Sequence, residues 1–319
     1  MLPANSNLCE RISVRFSITT PVLNGRKFID QTILSVVSQT GPFSIRYHIQ
    51  DGGSKDGTLD LLATWKHRID SGFPIGCAGI DFTYSSAPDK GLYDGISNGF
   101  AACGDADVMT WINADDRLEA GSLATIYEIF SRYPDVKWVT GRPTVINENG
   151  EILDIAPLTP FPQKAVAAGI FDGRFAQKFI QQEGTFWRMR LWTAANGLNR
   201  HFRLAGDFDL WRRFAVHSEV VICNSILGNF RFRDGQLSAD KSAYHREIDA
   251  SLSTEEVETR AAASKTYKRA GFAYPVLVRH YSGPWTLERW PMCIAPMLGT
   301  RAFQWEYKRI SVMSSLGMI

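Results

Sequence analysis

The first part of the chain alternates between strand-like and helix-like patterns, and this alternation constrains the fold more than any other feature. The β-rich run Phe16–Asn24 precedes the segment Lys27–Gln39, in which apolar residues recur at helical spacing. A second strand-like run, Tyr47–Gln50, leads into the glycine-rich turn Asp51–Thr58 and another helical pattern. Such alternation indicates a parallel sheet with helices packed on it, in which ligands gather at the carboxyl ends of the strands.

Polar side chains follow three of the predicted strands. Asn24 follows the first and Asp51 the second, and Asp115 and Asp116 come after the short apolar run Val108–Ile112. We expect these loops to converge on one rim of the sheet. Adjacent carboxylates suit a divalent cation that carries phosphates, although a pair of aspartates after a strand is also common as a turn or helix cap.

Composition excludes several classes of protein. The formal net charge of +2 implies no nucleic acid or other acidic polymer as a partner. The five cysteines contain no short metal-type pair, which is typical of reduced thiols in a cytoplasmic protein. The amino terminus does not resemble a secretory signal, and no apolar run of about 18 residues predicts a spanning helix. We therefore expect a cytoplasmic protein, either soluble or at the inner face of the membrane.

Seven short motifs occur in register between residues 14 and 240. They are Thr20-Pro21 with Asn24, Asp51–Thr58, Asp89–Asp94 with Asn98-Gly99, Asn113–Asp116, Gln182–Arg188, Ala205–Trp211 and Phe230–Ser238. Together they resemble the ordered motifs of family 2 glycosyltransferases with the GT-A fold. The resemblance implies an α/β, Rossmann-like domain with a mixed, mostly parallel sheet flanked by helices, and inverting transfer of a sugar from a nucleotide-diphosphate sugar.

The same resemblance predicts the domain organisation. Residues 1–240 are expected to form the GT-A domain, with a nucleotide-binding half at about 14–117 and an acceptor-side half at about 118–240. Residues 241–319 are expected to form a helical C-terminal extension. Its basic segment with two tryptophans could lie on an anionic membrane surface beside a lipid-linked acceptor; packing against the catalytic domain or an oligomer contact is the alternative.

The resemblance also implies the residues that contact the nucleotide. Asp51 would accept a hydrogen bond from a ring N–H of a pyrimidine or guanine base, and Lys90 would meet negative charge. Two alternatives stay open, because Asp51 could stabilise the Gly52-Gly53 turn and Asp89 could cap a helix. The full predicted set is Thr20, Pro21, Asn24, Asp51, Asp89, Lys90, Asn113 and Asp115.

Asp115 and Asp116 are the predicted ligands of a divalent metal, Mn²⁺ or Mg²⁺, that would bridge the diphosphate. Asn113 replaces the first carboxylate of the family's metal motif, and its amide could bond a ribose hydroxyl instead. Arg233 stands where relatives often have a histidine. A guanidinium cannot ligate a cation but can clamp phosphate oxygens.

The acceptor side is predicted to supply the catalytic base. Asp207 matches the family's catalytic aspartate, although the preceding glutamate of that motif is Gly206 here. The alternative is that Asp207 only caps a core helix. Gln182 and Glu183 could orient an acceptor hydroxyl. Trp187 could stack on a sugar ring, or it could be a buried core residue.

These observations predict a metal-dependent, inverting glycosyltransferase that moves a sugar to a hydroxyl of a glycan or lipid-linked acceptor in surface polysaccharide biosynthesis. A sugar nucleotidyltransferase is one alternative, but the expected basic, glycine-rich phosphate loop is missing near the amino terminus. A non-catalytic nucleotide- or sugar-binding protein with the same fold is the other. It is suggested by the departures from the family pattern at Asn113, Gly206 and Arg233.

Overall fold

Two β-sheets organise the part of the chain that the computed structural model describes, residues 14–176, 178–267 and 273–291. The larger sheet has nine strands in these residues and the smaller has four. In chain order the strands are β1 (Arg15–Val22), β2 (Thr40–Asp51), β3 (Gly76–Ser86), β4 (Val108–Trp111), β5 (Arg117–Leu118), β6 (Trp138–Thr140), β7 (Thr144–Ile146), β8 (Ile152–Ile155), β9 (Thr185–Arg188), β10 (Val221–Cys223), β11 (Gly228–Arg231), β12 (Ala273–Val278) and β13 (Thr286–Pro291).

Helices flank the larger sheet on both faces. The predicted helix at Lys27–Gln39 is present as Ile29–Val37, with its apolar side buried. A single turn of 3₁₀ helix at Gln182–Gly184 precedes β9. The α-helices are α1 (Ile29–Val37), α2 (Thr58–Asp70), α3 (Leu92–Cys103), α4 (Ser122–Arg132), α5 (Gln163–Ala167), α6 (Met189–Ala194), α7 (Gly206–His217), α8 (Lys241–Ser251) and α9 (Thr254–Tyr267).

The order of strands in the larger sheet is β13-β12-β10-β6-β9-β4-β1-β2-β3. Strands β1 to β4 are mutually parallel, and their register aligns Val22, Asp51 and Ser86 at one carboxyl rim. β9 runs antiparallel between β4 and β6, so its amino end, preceded by Gln182 and Glu183, reaches the same rim. The mixed, mostly parallel α/β architecture expected from the sequence is therefore confirmed.

The smaller sheet, in the order β5-β11-β7-β8, carries a late part of the chain back to this rim. β11 pairs antiparallel with β5 and parallel with β7. Because β5 begins directly after Asp116, the residues that follow β11 lie against the loop Asn113–Asp116.

The apolar core is divided by the larger sheet. Neighbouring residues of β4 face opposite sides, so that Val108 packs in one buried cluster and Met109 in the other. The second cluster contains several tryptophans in mutual contact, with the rings of Trp111 and Trp211 stacked at a centroid distance of 5.8 Å. Both faces are thus covered, as in parallel sheets generally.

The C-terminal segment is helical only in part. Residues 241–267 form α8 and α9, as expected, but residues 273–291 form two strands, β12 and β13, which lengthen the larger sheet beside β10. Ile248 of α8 is fully buried in the second core cluster, and Trp285 is 4% exposed in the first. Trp285 therefore packs against the domain, whereas contact of the rest of the tail with a membrane stays a prediction.

The basic residues predicted to accompany that tail beyond residue 291 lie outside the described part of the chain. Among the described helices, none combines the length and the apolar character needed to cross a bilayer.

Candidate active site

Asp51, the last residue of β2, is fully buried and uses its two carboxylate oxygens differently. Oδ2 accepts hydrogen bonds from the backbone N–H groups of Gly53 (2.9 Å) and Ser54 (3.0 Å) and from the Ser86 hydroxyl (2.6 Å). Oδ1 is buried and has no partner among the described residues. Oδ2 thus stabilises the glycine turn, whereas Oδ1 is left to accept a hydrogen bond from a ligand, since an unsatisfied buried acceptor is costly.

Asn24 joins the loop after β1 to the loop after β2. Its backbone N–H donates to Ser54 Oγ (2.7 Å), and its Oδ1 accepts from the backbone N–H of Lys55 (2.9 Å). Its φ of 51° lies in the left-handed region, which asparagine tolerates better than most residues. The structure therefore shows a role in loop geometry, and a contact of Asn24 with the nucleotide stays a prediction.

Thr20 and Pro21 are buried at the end of β1. The Thr20 hydroxyl shares a hydrogen bond with the Tyr47 hydroxyl (2.9 Å) inside the sheet. Pro21 packs beside α3, where a Cβ added at Gly95 would lie 3.6 Å from the proline Cβ. They form the inner wall of the rim, and their contact with a nucleotide remains predicted.

Asp89 lies between the turn after β2 and the start of α3. Its Oδ1 accepts a hydrogen bond from the backbone N–H of Gly91 (2.9 Å) in a turn just ahead of the helix, whose N-cap is Gly91 and not Asp89. Its Oδ2 faces Gly52 and Gly95, because a Cβ at either glycine would lie 3.0 Å from it. Glycine at these positions lets the carboxylate approach the Asp51 turn, with the exposed Lys90 next to it.

Asn113 sits between two acidic side chains. Its Nδ2 donates to Asp116 Oδ2 (3.0 Å) and to Glu183 Oε1 (3.4 Å). An aspartate at this position would add a third negative charge, so the departure from the family motif has a local electrostatic reason. Asn113 Oδ1 is buried without a partner in the described residues, which leaves an acceptor for a ligand hydroxyl.

Asp116, which we predicted to be a metal ligand, is committed to the protein interior. It is 1% exposed, its Oδ1 accepts from the backbone N–H of Arg231 (2.7 Å), and its Oδ2 accepts from Asn113. Burial, together with the negative charges of Glu183 and Asp115, raises the pKa of Asp116 well above its usual range. The prediction is corrected: Asp116 anchors β11 and does not offer a free oxygen to a cation.

Arg231 is a second buried anchor that the sequence did not reveal. Its Nε donates to the Asp115 carbonyl (2.6 Å) and its Nη1 to the carbonyls of Asn147 (2.9 Å) and Glu148 (2.7 Å). The guanidinium also lies over the Phe28 ring, 4.7 Å from its centroid. Arg231 therefore fixes the backbone of the Asp115–Asp116 loop.

Asp115 forms an ion pair with Arg233. The Nε of Arg233 is 2.5 Å from Asp115 Oδ2, and the two side chains are 31% and 21% exposed, respectively. The backbone N–H of Arg233 donates to Gln236 Oε1 (3.0 Å), which holds the segment in place. Arg233 thus places a permanent positive charge beside Asp115, the carboxylate that was the first choice as metal ligand.

Asp207 lies in the first turn of α7. Its Oδ1 accepts hydrogen bonds from the backbone N–H of Phe208 (2.8 Å) and from the Tyr93 hydroxyl (3.2 Å), whose one proton is shared with the Leu204 carbonyl (2.9 Å). Burial raises the pKa of Asp207 to about 6, although both hydrogen bonds oppose the rise. Tyr93, to which the sequence assigned no task, thus orients the candidate base.

Gly206 stands where the family motif has a glutamate, and the Tyr93 ring occupies the space that a side chain at this position would need. A Cβ at this position would lie 2.7 Å from the ring of Tyr93, so any side chain would displace the tyrosine that holds Asp207. The loop before α7 is also fixed from α8. The Glu247 carboxylate accepts hydrogen bonds from the backbone N–H groups of Arg203 (2.6 Å), Leu204 (2.8 Å) and Ala205 (2.8 Å).

Gln182 and Glu183 are buried at the amino end of β9. The Gln182 side chain donates to the Trp111 carbonyl, and its Oε1 is buried without a partner in the described part of the chain. Burial raises the pKa of Glu183 to about 7, and the negative charge of Asp207 contributes to the rise. Glu183 thus stays buried and partly protonated near neutral pH.

Trp187 does not face a cleft. It is fully buried, and its ring packs against Trp111 and Trp211 at centroid distances of 5.4 and 5.7 Å. β9 is a central strand of the sheet, so a large aromatic residue there fills the core. The predicted stacking of Trp187 on a sugar is corrected to the core role that was its alternative.

The predicted site residues from separate loops are linked along one rim. Asp89 joins the Asp51 turn to α3, and Tyr93 of α3 joins Asp207, while Glu183 reaches the same rim at the amino end of β9. Glu183 continues through Asn113 to Asp116 and the neighbouring ion pair of Asp115 with Arg233. The residues predicted to bind the nucleotide and those predicted to face the acceptor therefore lie along the same edge of the sheet.

A sheet of this topology with acidic loops along its carboxyl rim is the arrangement of the GT-A fold, and solved structures share this fold. The chain is similar to TarS 1-349 of S. aureus in complex with UDP-GlcNAc (TM-score 0.57, 10% identity, 78% of this chain and 71% of that chain). It is also similar to the mannosyltransferase PcManGT of Pyrobaculum calidifontis in complex with GDP-Man and Mn²⁺ (TM-score 0.54, 12% identity, 82% and 71%). GalNAc-T7 with UDP, GalNAc and Mn²⁺ is similar at a TM-score of 0.50 and 12% identity (75% and 48%).

The chain belongs to glycosyl transferase family 2, whose model matches residues 17–183, more than half of the sequence. No curated protein matches the sequence significantly. At these identities the solved structures establish the fold alone, and the family establishes that the protein is a transferase of sugars.

Proposed function

We propose that this protein transfers a sugar, with inversion, from a nucleotide-diphosphate sugar to a hydroxyl group of a glycan or lipid-linked acceptor. The observation that carries the proposal is the continuous rim. It joins a buried carboxylate with one unpartnered oxygen, Asp51, to a carboxylate poised near neutral pH, Asp207. A donor can be bound at one end and an acceptor activated at the other.

The donor end suits a nucleoside diphosphate. Asp51 Oδ1 would accept a hydrogen bond from a ring N–H of uracil or guanine, and Asn113 Oδ1 would accept one from a ribose hydroxyl. Both atoms are buried acceptors that a ligand donor would satisfy. The titles of the similar structures, which name UDP-GlcNAc, UDP and GDP-Man, support a donor of this class.

The acceptor end suits general base catalysis. An acceptor hydroxyl is a poor nucleophile near neutral pH, and Asp207, with a pKa of about 6, is ionised at pH 7 and basic enough to take its proton. The hydroxyl oxygen attacks the anomeric carbon as the bond to the diphosphate oxygen breaks. Attack from the opposite face inverts the anomeric configuration.

A divalent metal was expected from the sequence, and two of the similar structures are complexes with Mn²⁺. The residues of this chain do not fit that expectation. Asp116 is buried with both oxygens bonded, Asp115 is paired with Arg233, and no group of three His, Cys, Asp or Glu in the described residues could hold a metal ion. The steps proposed above use the protein's own residues alone.

Release of nucleoside diphosphate from a panel of UDP- and GDP-sugars, with saccharide acceptors, tests the proposal. We expect turnover with at least one donor, and a product whose anomeric configuration, measured by NMR, is opposite to that of the donor. A role in the biosynthesis of surface polysaccharide would be supported if the best acceptors were lipid-linked or polymeric glycans. Nucleotide binding without turnover on any pair would favour a non-catalytic binding protein.

A further inference from the structure

Two arginines of one extended segment face the loop that carries Asp115 and Asp116. Arg231 contacts the backbone of this loop and Arg233 pairs with the Asp115 carboxylate, whereas Phe232 between them is 58% exposed. Alternate residues of an extended chain point to the same side, which explains this arrangement. The segment is held by a hydrogen bond from the Phe232 N–H to the Ile146 carbonyl (2.8 Å) and by the pairing of β11 with β7.

The two arginines differ in accessibility. The Arg231 side chain is 1% exposed and its donors are used by the protein. The Arg233 side chain is 31% exposed; its Nε is engaged by Asp115 and its Nη1 donates to the Asp234 carbonyl (3.2 Å), which leaves the donors of Nη2 for a ligand. A guanidinium carries five N–H donors in a fixed plane, so Arg233 can keep its bond to Asp115 and still present donors to a ligand in the cleft.

A cation at Asp115 would have to compete with this guanidinium. Asp115 is paired at 2.5 Å, and Asp116 behind it has both oxygens bonded within the protein. Arginine stays protonated at any physiological pH, so a divalent ion beside Asp115 would lie next to a fixed like charge. The position that a metal would take already holds a positive charge.

We propose that Arg233, oriented by Asp115, supplies the positive charge that stabilises the departing diphosphate, so that sugar transfer by this protein does not need a divalent metal. The inference rests on the proposed function. The acceptor oxygen forms a bond to the anomeric carbon, and its proton passes to Asp207. The bond between that carbon and the diphosphate oxygen breaks, and its electron pair stays on the diphosphate, which Arg233 binds by charge-assisted hydrogen bonds.

Purified full-length protein, assayed for transfer and for binding of UDP and GDP by calorimetry, tests this in EDTA and in Mn²⁺ or Mg²⁺. We expect the wild-type rate and affinity to change less than about 3-fold between these conditions. Arg233→Met should lose about 100-fold in rate and about 10-fold in nucleotide affinity. Arg233→Lys should lose less, because the charge is kept. Arg132→Met, on the exposed end of α4, is the matched control and should behave as wild type.

Arg233→His is the most discriminating variant, because it exchanges the guanidinium for a metal ligand. We expect this variant to be inactive in EDTA and to recover in Mn²⁺, with thermal unfolding showing that all variants are folded. Wild-type transfer or nucleotide binding that disappears in EDTA and returns with Mn²⁺ would overturn the inference and leave the proposed function intact. No nucleotide binding and no transfer under any condition would overturn both.

Discussion

The sharpest test of the catalytic assignment is Asp207→Asn. The amide keeps an oxygen for the hydrogen bonds from Tyr93 and the Phe208 N–H, so the first turn of α7 should keep its geometry. What is lost is the ability to accept a proton from the acceptor hydroxyl. General bases typically contribute about 10²–10⁴-fold, and we expect a fall of that size in kcat with nucleotide affinity unchanged.

The same variant should be more stable than the wild type above pH 6. Burial raises the pKa of Asp207 from 3.8 to about 6, so the folded state binds the proton more tightly than the unfolded state does. The free energy of unfolding of the wild type therefore falls as pH rises from about 4 to about 6. Above pH 6 the buried carboxylate is ionised and destabilises the folded state by the full amount. The full shift corresponds to about 3 kcal/mol, and about 1–2 kcal/mol is expected because the side chain is only half-buried.

Thermal unfolding at pH 5 and pH 8, with the pH profile of kcat/KM, measures both effects. The wild-type profile should rise with pH through a midpoint of about 6, and the variant should lack this rise. The variant's Tm should exceed that of the wild type by a few degrees at pH 8 and by less at pH 5. Turnover that survives in Asp207→Asn, with the midpoint still present, would show that another group is the base.

Three further substitutions test neighbouring parts of the rim and the core. Asp51→Asn keeps an acceptor for the glycine turn but replaces the free oxygen by a donor, so UDP or GDP affinity measured by calorimetry should fall about 10-fold or more, with Tm unchanged. Gly206→Glu should cost about 1–3 kcal/mol in urea unfolding because its Cβ would meet Tyr93, whereas Gly79→Ala, with open space around it, is the neutral control. Trp187→Ala should cost about 3–5 kcal/mol with the acceptor KM unchanged; a variant affected only in KM would restore the sugar-stacking role.

Local patterns were enough to predict the framework of the site. Strand-like runs followed by Asp51 and by Asp115 are short-range signals, and a parallel sheet brings the ends of such strands together. Asp207 was predicted from its motif, and the structure places it in the first turn of α7, where it accepts a hydrogen bond from the next backbone N–H; the N-cap position itself is Ala205, so Asp207 is not the helix cap that was its alternative.

The wrong predictions concern contacts between residues far apart in the chain. Asp116 is buried because Arg231, more than a hundred positions later, donates its backbone N–H to it. Trp187 is internal because β9 is inserted between β4 and β6, an arrangement that the alternation of apolar residues in a four-residue strand does not encode. No spacing rule pairs Tyr93 with Asp207 or Arg233 with Asp115.

The C-terminal strands were missed for a different reason. The polar, helix-favouring composition of residues 241–267 dominated the interpretation of everything after residue 240. The short apolar run Ala273–Val278 becomes a strand because β10 offers it a free edge, with Ile222 and Cys223 as partners. Such pairing is decided by the sheet and not by the run itself.

The carboxylate of Glu247 ties the segment after residue 240 to the loop that precedes α7. It gathers three consecutive backbone N–H groups just ahead of the helix that bears Asp207. A protein shortened at residue 240, as the motif boundaries alone would suggest, would expose those amides and the pocket filled by Ile248. A truncated version of this protein should therefore keep α8, because the contacts that hold the loop before Asp207 come from residues beyond the last family motif.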